Sequence, residues 1–144
     1  MINPDILDIC EHTGTGFARM IAFEEWRVAL AHAAPGDRRP EDLQEWQQHN
    51  ATDEVFCLLR GGYVLFVASS GDHPGQIEAV EMEPLKLYNI RRGAWHARTL
   101  DIDSSVVIVE NDSTSSANSK SSAMTPDQHA VMIGLTRKTR GVTV

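Results

Sequence analysis

From Asp53 to Asp112 the chain falls into six short apolar-rich runs: DEVFCLLRG, GYVLFVASS, QIEAVEME, LKLYNIRRG, WHARTLD and SSVVIVEND. Their lengths suit short antiparallel strands. The breaks between them carry turn chemistry, first Gly61-Gly62, then GDHPGQ, RRG and DID, where glycine, proline and aspartate let the backbone reverse. Two further runs, FARMIAF and EWRVALAH, precede them. In the second, Trp26, Val28 and Leu30 alternate with Arg27, Ala29 and Ala31, the period of a half-buried strand. Arg27 is expected on the surface; with the pleat reversed it would face inward and could meet a substrate carboxylate. So many short strands with regular turn signals predict an all-β barrel or sandwich.

At 144 residues one domain is expected, spanning 1–144 and able to bury about two-thirds of its unfolded surface without disulfides or metal. A net charge of −7 argues against nucleic acid as partner, because phosphate binding needs a cationic face. No apolar run is long enough to span a bilayer, so no membrane association is expected. The start MINPDILDIC is acidic and lacks the basic opening of a signal peptide. Cys10 and Cys57 are too few for a disulfide framework, which points to a cytoplasmic location. Cys57 reads as a small strand residue with nothing to mark it as a nucleophile.

Three short helices are expected around the strands. Asn3-Pro4 predicts the first, to about Glu11, with Ile6, Leu7 and Cys10 as its buried stripe. Pro40 starts the second, PEDLQEWQQ over about 40–48, which would place Gln47 on a helix end. Thr125-Pro126-Asp127-Gln128 is a capping box, predicting the third from Pro126 to about Leu135. The strand-rich part runs from about 17 to 111. The serine-rich stretch over 112–124 reads as a flexible surface arm. No internal repeat is visible.

The polar residues inside this apolar framework define the candidate site. His49 and Glu54 lie at the start of one run, and Gly93 precedes His96 by three positions at the start of another. With Glu54 pointing inward, Phe56 and Leu58 follow; with His96 inward, Arg98 and Leu100 follow. His49, Glu54, His96 and Arg98 then meet at one level of an apolar interior. Two histidines and a carboxylate suit iron(II) with open positions, and equally zinc, nickel or manganese. The other reading is a metal-free pocket in which both histidines hydrogen-bond Glu54. Arg98 needs a partner if buried, either Glu54 or an anionic ligand held by a bidentate contact. With Tyr88 and Trp95 placed near the mouth, the small-molecule ligand class is a small carboxylate or sugar acid. Asp53 is expected at the surface or in a turn, and His73 in a solvated hairpin.

These motifs resemble the cupin superfamily. His49, Glu54 and Gly61 match the second histidine, the glutamate and the glycine of its first motif; Gly93 and His96 match its second. Gln47 stands where the first motif's leading histidine should be, Arg91 at the second motif's proline and Leu100 at its asparagine. GAWH at 93–96 is also similar to the glycine-x-tryptophan-histidine of ureidoglycolate lyase. The resemblance covers roughly Trp26 to Asn111 and implies a jelly-roll β-barrel of one cupin domain. It implies homodimers formed through sheet edges, and a metal held by His49, Glu54 and His96. Isomerase, lyase and dioxygenase chemistry all occur on this fold, as do binding modules without catalysis.

Overall fold

The computed structural model describes residues 1–141. These form ten strands and one α-helix: β1 (Gly16–Phe23), β2 (Trp26–His32), β3 (Glu45–His49), β4 (Glu54–Arg60), β5 (Tyr63–Ala68), β6 (Ile77–Glu81), β7 (Leu87–Ile90), β8 (Trp95–Leu100), β9 (Ser105–Asn111), β10 (Ser119–Ala123) and α1 (Pro126–Thr139). They build two antiparallel five-stranded sheets, in the orders β1-β2-β9-β4-β7 and β10-β3-β8-β5-β6. From β2 to β9 successive strands lie in opposite sheets, except for the β5–β6 hairpin. Each sheet keeps two edge strands, and among the described residues no backbone pairing joins one sheet to the other. The expected closed barrel is therefore an open two-sheet sandwich.

Alternation decides what each sheet buries. Phe56 and Leu58 of β4, Leu65 of β5, Leu100 of β8 and Ile108 of β9 interlock between the sheets. A second cluster, with Trp46, Phe66, Trp95 and Met132, fills the space between the outer face of the β3-β8-β5 sheet and α1. Since β5 is covered on both faces, five of its six residues are buried, and it reads as an unbroken apolar run. At the tight link between β4 and β5, Gly61 has φ +79, and an added Cβ would lie 2.6 Å from Ser104 Cα. No other residue type fits there without displacing backbone.

Of the three expected helices only the last forms. Asn3 does cap, accepting a bond from the Asp5 amide at 3.0 Å, but the helix stops after a single turn. Ile6, Leu7 and Ile9 remain exposed. A helix this short has nothing to repay its nucleation unless its apolar stripe packs on something. The second helix is only a 3-10 turn, Pro40–Asp42, after which the chain becomes β3. The burial of Trp46 and Gln48 in alternation with Glu45 and Gln47 has the period of a strand, which overrides the Leu43–Trp46 spacing. The serine-rich arm is also corrected in part: Ser119–Ala123 is β10, hydrogen-bonded along β3. α1 follows its capping box as expected and runs on to Thr139. No helix among the described residues is long and apolar enough to cross a membrane.

Candidate metal centre and pocket

His49 ends β3, Glu54 begins β4 and His96 lies at the start of β8. The backbone around them is stapled together before any side chain meets. The Gly93 amide donates to His49 O at 2.8 Å, and Gln48 Nε2 donates to Gly93 O at 2.8 Å. Asp53, expected as a surface or turn residue, grips the turn before β8. It accepts from the Arg92 amide at 2.7 Å and from Asn89 Nδ2 at 3.1 Å. The bend that carries His49 and Glu54 is thus tied to the turn that delivers His96.

The three side chains converge. Glu54 Oε2 stands 3.3 Å from His49 Nε2 and 3.0 Å from His96 Nε2. The far nitrogens are held elsewhere: His49 Nδ1 lies 2.8 Å from Ser119 Oγ and His96 Nδ1 lies 3.2 Å from Ala94 O. A carbonyl can only accept, so His96 Nδ1 carries the hydrogen, and in the neutral ring Nε2 turns a lone pair toward the carboxylate. Glu54 Oε2 accordingly has no aligned hydrogen-bond donor, although it is buried. Two acceptors facing each other at this distance need a cation between them, a proton or a metal. Ligand atoms about 2.1 Å from one ion and at right angles to each other lie about 3 Å apart, so the donor set fits a divalent metal. An Nδ1–H held by a backbone carbonyl is also the usual support of a metal-binding histidine.

Burial alone would raise the Glu54 carboxyl, but whenever the two imidazoles are protonated their N–H groups and charge outweigh it and hold it well below the usual carboxylate range. Burial would likewise lower His49, yet the Glu54 carboxylate wins and its pKa is raised. Glu110, also buried, is pushed up by burial and then by Glu54, while Arg27 pulls it back.

The remaining expected residues divide between the two faces of the sheets. Gln47 lies on β3 opposite His96 and shares the inner face with His49, so it lines the pocket. Arg98 also faces inward and lines two cavities of about 330 and 450 Å3 that adjoin at Glu45, Gln47 and Arg98. Trp95 does not belong to the mouth. Alternation turns it to the outer cluster, where its indole donates to Gly71 O at 3.0 Å. Tyr88 packs against the inner core, and its hydroxyl accepts from the Glu83 amide at 2.9 Å. Arg27, expected outside, faces the pocket, with Nη2 2.7 Å from Glu110 Oε1. Sequence reasoning missed Glu110, Ser119 and Tyr63. Alternation with Val106 and Ile108 could have placed Glu110 inside; Ser119 was hidden in low-complexity sequence.

No protein-family model matches the chain, and no curated protein matches its sequence. Solved structures do match its fold. Streptomyces PAC13 with uridine aligns at a TM-score of 0.57 and 13% identity, over 80% of this chain and 85% of that one. The same protein is described as a nucleoside dehydratase. CapF, a capsular polysaccharide assembling protein from Staphylococcus aureus, aligns at 0.57 and 16%, over 78% of this chain but 33% of CapF. KdgF from Halomonas sp. aligns at 0.52 and 13%, over 78% and 94%. At these identities the likeness is one of fold.

Proposed function

We propose that this protein is a single-domain cupin enzyme that holds one divalent metal on His49, Glu54 and His96 and acts on a small polar acid or sugar-like molecule. The observation that carries the reading is the convergence of three donor atoms on one buried point where Glu54 Oε2 has no hydrogen bond. Gln47 supports it, because its inward position offers a further oxygen ligand in place of the histidine that stands there in the superfamily motif. When bound, such a metal polarises a ligand's oxygen or lowers the pKa of a water. Iron, zinc, nickel and manganese all suit this donor set.

The chain's own residues would do the rest. His96 and His49 are aimed by Ala94 O and Ser119 Oγ, so their Nε2 atoms need no reorientation on binding. Arg98 supplies positive charge beside the centre. Glu110, held by Arg27 at Oε1 and free at Oε2, is placed to accept or return a proton. A second reading, a metal-free binding module, is favoured by the raised pKa of His49: an imidazolium beside Glu54 would also satisfy the carboxylate.

Elemental analysis of protein purified without an affinity tag tests the choice. About one divalent ion per chain is expected, falling below detection in His96→Ala while the far-ultraviolet circular dichroism stays that of a β protein. Wild-type protein that carries no metal, and gains no thermal stability from added iron(II), zinc, nickel or manganese, would leave the second reading standing.

We further infer that the chain forms a homodimer, and the supporting surface is the outer face of the β1-β2-β9-β4-β7 sheet. Phe23, Trp26 and Leu87 there are 60%, 43% and 75% exposed, and Val28, Val55 and Val109 lie between them. The sandwich's only α-helix among the described residues covers the opposite sheet.

A further inference from the structure

Arg98 is a partly buried cation without a counter-ion. Among the described residues it makes no ion pair and no hydrogen bond, and its Nε is sealed from solvent. Its neighbours in the field are Tyr63, Glu54, Asp37 and Glu110, none close enough to pair. A second orphan lies on the same inner face. The Tyr63 hydroxyl belongs to a wholly buried side chain and has no hydrogen-bond partner. Register puts both on one inner face: Leu65 stands opposite Arg98, and Tyr63 is two residues before Leu65 on β5. A phenol sealed without a partner and a partly buried guanidinium without a counter-ion are both costly; Arg98 opens onto both cavities, and Tyr63 stands behind it in the core.

We propose that Arg98 and Tyr63 form an anion seat that takes the carboxylate of a small organic acid. The seat deepens the enzyme reading above, since it names the ligand's charged end, but it stands whether or not a metal binds. A guanidinium matches a carboxylate through two parallel N–H···O bonds, and a phenol adds a third donor. A phosphate, carrying close to two negative charges, would meet one unpaired cation among Glu54, Glu110 and Asp37. A monoanion needs only that one. β3 is paired with β8 through Gln47↔His96 and Gln48↔Trp95 alone, and beyond those rungs the strands part beside Arg98. That gap opens onto Arg98 between Asp37 and Glu45, with His96 also on its wall.

Calorimetric titration of the protein as purified with lactate, succinate and glucuronate, each beside its amide, tests the seat. At least one acid should bind about tenfold or more tighter than its amide. Arg98→Gln should erase that preference and Tyr63→Phe should reduce it several-fold, both with wild-type metal content. Because the empty seat holds an uncompensated charge, Arg98→Gln and Arg98→Met should also raise Tm. Equal binding of acids and amides, or no binding of any of the three acids, would overturn the proposal. So would a preference that survives in both Arg98 variants. A preference kept in Arg98→Gln but lost in His96→Ala would place the carboxylate on the metal, removing the seat while leaving the metal centre. A preference retained in chelator-treated wild-type protein would support the seat and show that it works independently of the metal centre.

Discussion

Glu54 and His49 shift each other's protonation, and this gives the centre a pH signature. Glu54 is held below its ordinary value by His49 and His96 against the effect of burial. Its contribution to stability is complete above about pH 4.3, the unperturbed glutamate value, and is lost as pH falls toward the depressed native value. His49 is raised; its contribution is complete below about 6.5 and is lost as pH rises through the raised native value. Chelator-treated protein should therefore be most stable between those two values, with Tm declining above them. A metal takes the place of the protons, so the stabilisation it brings should grow as pH rises. Thermal melts from about pH 5 to about 8, with and without a divalent ion, read this directly; superimposable curves would count against a metal. Gln47, opposite His96 on the inner face, sharpens the point. Gln47→His should tighten metal binding by about tenfold or more, since an imidazole is a far better ligand than an amide oxygen. Competition with a chromogenic chelator would show it, and unchanged affinity would mean that position 47 does not reach the ion.

At the scale of elements, what was legible followed from period and turn chemistry. The six runs between Asp53 and Asp112 became β4 to β9 because turns rich in glycine, proline and aspartate bounded them, and the capping box at Thr125 started α1 as read. Thr125→Ala should cost about 1 kcal/mol, measured by urea unfolding. A loss near zero would mean that the bond from Trp46 Nε1 to Gln128 Oε1 anchors the helix without its cap. What was illegible depended on partners distant in sequence. β3 looked helical locally, and its burial beneath α1 and its ladders with β10 and β8 make it a strand. β10 has no apolar pattern at all; its backbone pairs with β3 whatever its side chains are. The inward face of Glu54, His96 and Arg98 was readable from alternation, but the true orientation of Arg27 and Trp95 needed the register. The N-terminal helix had its cap and its stripe but no surface to receive the stripe.

Over the whole molecule the two sheets are treated unequally. One carries α1 on its outer face; the other presents Phe23, Trp26 and Leu87 uncovered. If a second copy covers that face, light scattering at micromolar concentration should give twice the chain mass. Phe23→Asp with Trp26→Ser should return the monomer while leaving the metal content unchanged, because neither residue lines the pocket. A monomeric wild type would end the dimer proposal. The exposed apolar residues Ile6, Leu7 and Ile9 of the N-terminal stretch would then also lack a partner. The uncompensated Arg98 sits inside a chain of net charge −7, and this has a kinetic consequence. An approaching anion is repelled by the molecule as a whole and feels the attraction of Arg98 only after it has entered. Salt screens the long-range repulsion more than the buried attraction. Such a ligand should therefore be captured faster as ionic strength rises, the reverse of electrostatically steered association.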